Sequence, residues 1–120
     1  MKFLKLFVIA IFIAVSILAC NRAAPSRKSF VIAQSKSYEA SLYRQNCAIC
    51  HGAEALGKEM NAQLIPSLRF GDIEKKSEQE IYEQIAHGKL PMPAFQNQLT
   101  DEEIRRMARF IRRDLQGQSD

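Results

Sequence analysis

The residues of this chain best placed to do chemistry are Cys47-Ala48-Ile49-Cys50-His51. Two thiols three positions apart lie about one helical turn from each other, so both can bond to one edge of a flat macrocycle. The imidazole that follows is then held beneath the centre of the same ring. C-x-x-C-H is the attachment signature of c-type haem. The imidazole nitrogen is a good iron ligand, and its other ring N–H needs an oriented acceptor. Three other chemistries use these residue types. A thioredoxin-like redox pair belongs in a βαβ setting, which this sequence does not offer. A zinc site from Cys47, Cys50, His51 and His87 would need ligation by adjacent residues and lacks the usual second pair. A Cys47–Cys50 disulfide is open to an exported chain.

The third cysteine, Cys20, sits in a different context. Lys2 and Lys5 precede the apolar run Leu6–Ala19, in which only Ser16 is polar. That run falls short of the about 20 residues that span a bilayer and has the form of an export signal. It ends in Ile17-Leu18-Ala19-Cys20, which resembles a bacterial lipobox, with Leu18 a less usual occupant of its position. Residues 1–19 are therefore expected to be a signal peptide, and Cys20 the lipidated mature N-terminus. Several acyl chains anchor stably where one does not. A plain signal peptide and an uncleaved anchor helix are the alternatives. The segment 20–36 carries Arg22, Arg27, Lys28 and Lys36, no acid, Pro25 and several serines. It shows no sustained period and reads as a flexible tether, spanning roughly 20–24 Å as a random coil. Its positive charges could also meet anionic headgroups.

The 120 residues leave room for one further domain, 37–120. With 17 Lys+Arg against 13 Asp+Glu the net charge is +4, and it falls to +2 once Lys2 and Lys5 are removed. Such mild basicity does not point to nucleic acid. Arg105, Arg106, Arg109, Arg112 and Arg113 fall on the polar face of one amphipathic helix, which reads as a solvated face or a partner-docking face.

The elements that must position the motif are helices. Thr100-x-x-Glu103 and Ser77-x-x-Glu80 are capping boxes. After the first, Ile104, Met107, Ala108, Ile111 and Leu115 fall on one apolar face, with Gly117 as a stop. After the second, Ile81, Tyr82 and Ile85 turn inward and Gly88 ends the helix. A third helix is expected over about 38–47, and a short helical turn near 58–64. No segment alternates convincingly as a strand, so the predicted fold class is all-α.

The order of motifs resembles a single-haem class I cytochrome c over about residues 37–116. YEASLYRQN leads into CAICHG; Pro66-Ser67-Leu68 follows; then comes Gly88-Lys89-Leu90-Pro91-Met92-Pro93-Ala94-Phe95; finally Leu99-Thr100-Asp101-Glu102-Glu103-Ile104 opens the last helix. The resemblance implies three to four helices wrapped around one haem c bound covalently through Cys47 and Cys50. It implies His51 and Met92 as axial iron ligands, with Met60, Met107 and His87 as competitors for the second position. It implies that the Pro66 carbonyl accepts the proximal histidine N–H, where the plain alternative is a loop proline. It also implies that Ala40 and Phe110 meet where the first and last helices cross. A thioether favours Fe(II) and raises the reduction potential, and Pro91 and Pro93 restrict the backbone that presents it.

The expected function is electron transfer by a protein tethered on the extracytoplasmic side of a membrane, with no enzymatic reaction of its own. Its redox partners are proteins, and no nucleic acid is involved. The alternatives are a haem-bearing relay subunit of a respiratory oxidase or periplasmic dehydrogenase, and a haem protein that binds or senses a ligand.

Overall fold

The computed structural model describes residue 1 and residues 29–118. The signal peptide, Cys20 and the first part of the expected tether lie outside the described residues. Helix α1 (Tyr38–Asn46) is capped by Ser37, whose hydroxyl accepts from the Ala40 N–H, and it buries Ala40, Leu42 and Tyr43. One further turn, α2 (Ala48–His51), carries the C-x-x-C-H residues. After a loop and a 3-10 turn (Asp72–Lys75), α3 (Glu78–His87) and α4 (Asp101–Arg109) begin at the two capping boxes, both formed as expected.

α3 and α1 both pack against α4. The apolar face expected of the last helix is buried in full: Ile104, Met107, Ala108, Ile111 and Leu115 are all core residues. On α3, Ile81 and Ile85 are buried as expected. Tyr82 is only half-buried, because its hydroxyl bonds the Asp101 carboxylate and its ring carries the Arg105 guanidinium; Ala86 takes the inward place. Ala40 and Phe110 are both buried. Phe110 receives the Tyr43 ring at 6.4 Å and the Phe30 ring edge-on at 5.2 Å.

Three features differ from the expectations. The stretch expected as a helical turn near 58–64 is an antiparallel hairpin, β1 (Lys58–Met60) and β2 (Gln63–Ile65), paired Lys58↔Ile65, Glu59↔Leu64 and Met60↔Gln63. Asn61 and Ala62 turn it with φ of 53° and 59°, the left-handed pair that suits a two-residue hairpin. Its residues are mostly good helix formers, and three-residue strands are too short to show a period. Secondly, the last helix widens into a π-helical segment at Phe110–Leu115 before Gly117.

Thirdly, the tether expected through residue 36 does not describe residues 30–35. Ile32 is fully buried, and its N–H and that of Ala33 donate to the Glu54 carboxylate, each at 2.9 Å. Arg44 donates to the Ile32 and Ser35 carbonyls at 2.7 and 3.0 Å. Phe30 and Ile32, in the short apolar run Phe30–Ala33, supply the apolar contact.

Candidate functional site

The helices enclose one side of an apolar crevice of about 460 Å³. Core side chains from four places wall it: Leu68 from the central loop, Ile81 and Ile85 from α3, Phe95 and Leu99 from the following loop, Met107 and Ile111 from the last helix. Cys47, His51, Pro66 and Met92 open onto the same space. Sequence-distant residues expected to act together are thus gathered around one cavity. Cys50 lies one turn along from Cys47 in α2; both are free thiols and half-buried. Among the competitors, His87 is exposed and bound to the Glu83 carboxylate at 3.0 Å, and neither it nor Met60 lines the crevice. Met107 does line it, fully buried from within the last helix.

The backbone around His51 is shaped for close approach. Gly57, with φ of 78°, donates its N–H to the His51 carbonyl at 2.9 Å. A Cβ there would stand 2.5 Å from the Ile65 oxygen and 2.9 Å from the Pro66 carbonyl carbon. Only glycine lets this turn sit beneath the Pro66 strip. Gly88 does the same for the Met92 loop, where a Cβ would stand 2.7 Å from the Met92 oxygen. That loop is further fixed by the Phe95 N–H on the Ile85 carbonyl and by paired bonds between Lys89 and Met92.

The His51 Nδ1 lies 3.0 Å from the Pro66 oxygen. A carbonyl only accepts, so Nδ1 carries the proton and donates. Nε2 therefore keeps its lone pair. Burial pushes the His51 pKa down, partly opposed by the Pro66 bond, so the ring is held neutral. Burial, with help from Cys50, pushes the Cys47 thiol up to about 12. A redox-active pair needs a lowered pKa, so this is the wrong environment for thioredoxin-like chemistry. Among the described residues no group of three or more His, Cys, Asp or Glu side chains is placed to hold a metal ion, which removes the zinc arrangement.

The crevice fits a flat apolar macrocycle: its walls are aliphatic and aromatic, the Cys47 thiol stands at its edge with Cys50 one turn along, and a neutral imidazole and a thioether open onto it. Three residues that pattern reasoning did not single out also bear on it. Gln84 on α3 places its side-chain amide 3.8 Å from the Met92 sulfur. Arg69 and Gln116 are buried polar residues near the Pro66 strip. Gln84 sits between the inward positions Ile81 and Ile85, a placement the helix period could have shown.

A helical wrapper around such a crevice, with a C-x-x-C-H turn at its wall, defines a haem-binding domain with the class I cytochrome c fold. The chain belongs to the cytochrome c family: residues 39–111 match the family described as cytochrome C oxidase, cbb3-type, subunit III. It is 35% identical over 74 residues to cytochrome c6 of Parathermosynechococcus lividus, covering 60% of this chain and 82% of that protein. The same figures hold for cytochrome c6 of Synechococcus elongatus. Among solved structures, the KustC0563 c-type cytochrome is 29% identical with a TM-score of 0.46, covering 60% of this chain and 90% of that one. Members of the family carry covalently bound haem c, and the Cys47 and Cys50 pair fits the attachment motif.

Proposed function

We propose that this chain is a single-haem electron carrier whose iron is held by His51 and Met92, tethered outside the cytoplasm by lipid on Cys20. The observation that carries the reading is the His51–Pro66 bond at 3.0 Å, which leaves Nε2 as the ligating nitrogen in a crevice that Met92 also lines. Homology to cytochromes c6 supports the electron-carrier part of this reading.

Haem supplies a one-electron cycle between Fe(III) and Fe(II). The chain's own residues do the rest. Cys47 and Cys50 would hold the group by thioethers, and His51, its Nδ1–H on the Pro66 carbonyl, would offer Nε2 to the iron. Met92 offers a soft sulfur from a loop stiffened by Pro91 and Pro93. It is favoured over Met107, which is packed within the last helix. The aliphatic walls keep water from the ring and so favour the less charged reduced state. With His51 and Met92 both bound to it, the iron would have no position open to a substrate.

The test is one pair of absorption spectra, oxidised and reduced, on the purified protein. A c-type spectrum with the iron–methionine band, reversible with ascorbate, is expected. Rapid carbon monoxide binding to the ferrous form would instead support a ligand-sensing protein. A second reading, a relay subunit fixed in a larger complex, draws on the oxidase-subunit description of the matching family. Co-purification after mild detergent extraction separates it from a free carrier. Labelling with radioactive palmitate that is lost in a Cys20→Ala variant tests the anchor.

A further inference from the structure

Among the described residues, Arg69 and Gln116 are the polar side chains that are buried, 5% and 3% exposed. Burying such groups is unfavourable unless they are bonded, and apolar residues of similar size would fill the space as well. Together they tie one short strip of backbone, Pro66–Arg69, to two distant parts of the chain: Gln116 bonds into the strip, and Arg69 reaches out from it. The Gln116 amide donates to the Leu68 carbonyl at 3.0 Å. Arg69 donates from Nε to the Glu54 carbonyl and from a terminal nitrogen to the Phe30 carbonyl at 2.7 Å, with the Glu54 carboxylate at 3.3 Å. The strip Pro66–Arg69 is also stitched to the turn after His51: the Leu68 N–H donates to the Ala55 carbonyl at 2.9 Å, and the Ser67 hydroxyl donates to the same oxygen at 3.1 Å. At the head of this strip stands the Pro66 oxygen that receives the His51 Nδ1–H.

We propose that Arg69 and Gln116 are positioning residues for His51, fixing the Pro66 carbonyl from the N-terminal strap on one side and the π-helical end of the last helix on the other. The proposal rests on the carrier reading, because it concerns His51 as a ligand. An imidazole whose Nδ1–H is held on a fixed carbonyl is a stronger donor through Nε2. A strip free to shift would weaken that bond and make the ring a poorer donor to Fe(III). The two residues therefore hold the potential down as well as holding the loop still. Neither touches the reacting atoms; both act through Pro66.

The test uses the full chain matured with haem. Gln116→Met removes the donor at nearly constant volume, and Arg69→Lys keeps the charge but loses the planar fork. Leu42→Ala, a buried site on α1 away from the crevice, controls for loss of stability. Two quantities are read: solvent exchange of the His51 Nδ1 proton by NMR in the reduced protein, and the midpoint potential. The expected result is exchange about tenfold faster in Gln116→Met, the loss of about one net hydrogen bond. The midpoint should rise and the iron–methionine band persist. Arg69→Lys should move both quantities the same way, and Leu42→Ala only the unfolding transition. The proposal is overturned if the variants merely unfold more easily, with exchange and potential as in the wild type. It is also overturned if the potential falls, which signals water entering the crevice rather than a loosened imidazole. Should Gln116→Met not mature, Arg69→Lys decides alone on the same readouts. A wild-type protein without a histidine-ligated, low-spin ferric spectrum would bring down the carrier reading itself, a separate result seen before any variant is made.

Discussion

Removing the haem should remove the fold. The perturbation is the double variant Cys47→Ala, Cys50→Ala, which leaves nothing to attach the group. The crevice is about 460 Å³ and is walled by residues that otherwise form the core. At ~24 cal/mol per Å³, an empty cavity of that size costs about 11 kcal/mol. That is an upper figure, because the crevice opens to water along one side. A domain of this length has a total stability of about 5–13 kcal/mol. The two are comparable, so the apo chain has little or nothing left to hold α3 and the last helix around a void. Far-ultraviolet circular dichroism is the assay, with urea titration beside it. Low helicity without a cooperative transition is expected. Near-native helicity with a sharp transition would refute the argument, and would mean that the walls collapse onto one another at small cost.

Replacing Met92 by alanine should leave haem attached, abolish the iron–methionine band, lower the midpoint and admit carbon monoxide; retention of the band would move the ligand to Met107. Gln84→Leu removes the amide 3.8 Å from the Met92 sulfur. With that N–H no longer drawing on the sulfur, the potential should fall by about 20 mV, equivalent to ~0.5 kcal/mol, measured by redox titration. Ser77→Ala and Thr100→Ala each break a capping box and should each cost about 1 kcal/mol in holo-protein denaturation, adding together because the helices begin independently. The partner carboxylates of those boxes respond to acid. Hydrogen bonds from the Ser77 N–H and hydroxyl hold Glu80 below its ordinary value of 4.5, and those from Tyr38 and Thr100 do the same for Glu103. Their native values are lowered, so their contribution is complete above pH 4.5 and is lost as acid brings the pH through the lowered values. The thermal midpoint should therefore hold steady down to that pH and drop below it, and the drop should shrink when both caps are removed.

What the sequence revealed is what short spacing encodes. The C-x-x-C-H turn, both capping boxes and the apolar face of the last helix are all interactions within about one or two turns, and each stands where it was expected. The crevice itself was legible only through the resemblance in motif order. The features that escaped depend on partners far along the chain. Gln116 bonds a carbonyl 48 residues away, and Arg69 one 39 residues away. No local pattern marks a glutamine near a helix end as buried, and the usual expectation for glutamine and arginine is exposure. The hairpin was hidden differently: Asn61-Ala62 can turn a chain, but Ala62 at positive φ is not a residue that sequence reasoning would place there.

The fastened strap changes the mechanical side of the function more than the chemical side. If the segment through residue 36 were free, a lipid on Cys20 would leave the domain considerable freedom of approach. Residues 30–35 are instead bound by Glu54, Arg44, Arg69 and Phe110. Under the lipid-anchor reading only the nine residues 21–29 separate the anchor from the domain, and whatever their conformation they reach at most ~30 Å. Arg69 sits at both ends of this arrangement. It holds the Phe30 carbonyl, where the strap begins, and it belongs to the strip that presents the acceptor for His51. Under the same reading the leash leaves the domain at the Phe30 strap, which limits how far the domain can move from the bilayer. Electron exchange should then be efficient only with partners whose acceptor lies within the leash's reach plus the width of the domain from the bilayer surface. Inserting about ten Gly and Ser residues after Arg27 tests the consequence: turnover with a membrane-bound partner should change while the midpoint potential and the His51 proton exchange stay constant. Equal turnover with both leash lengths would show that the tether does not limit docking.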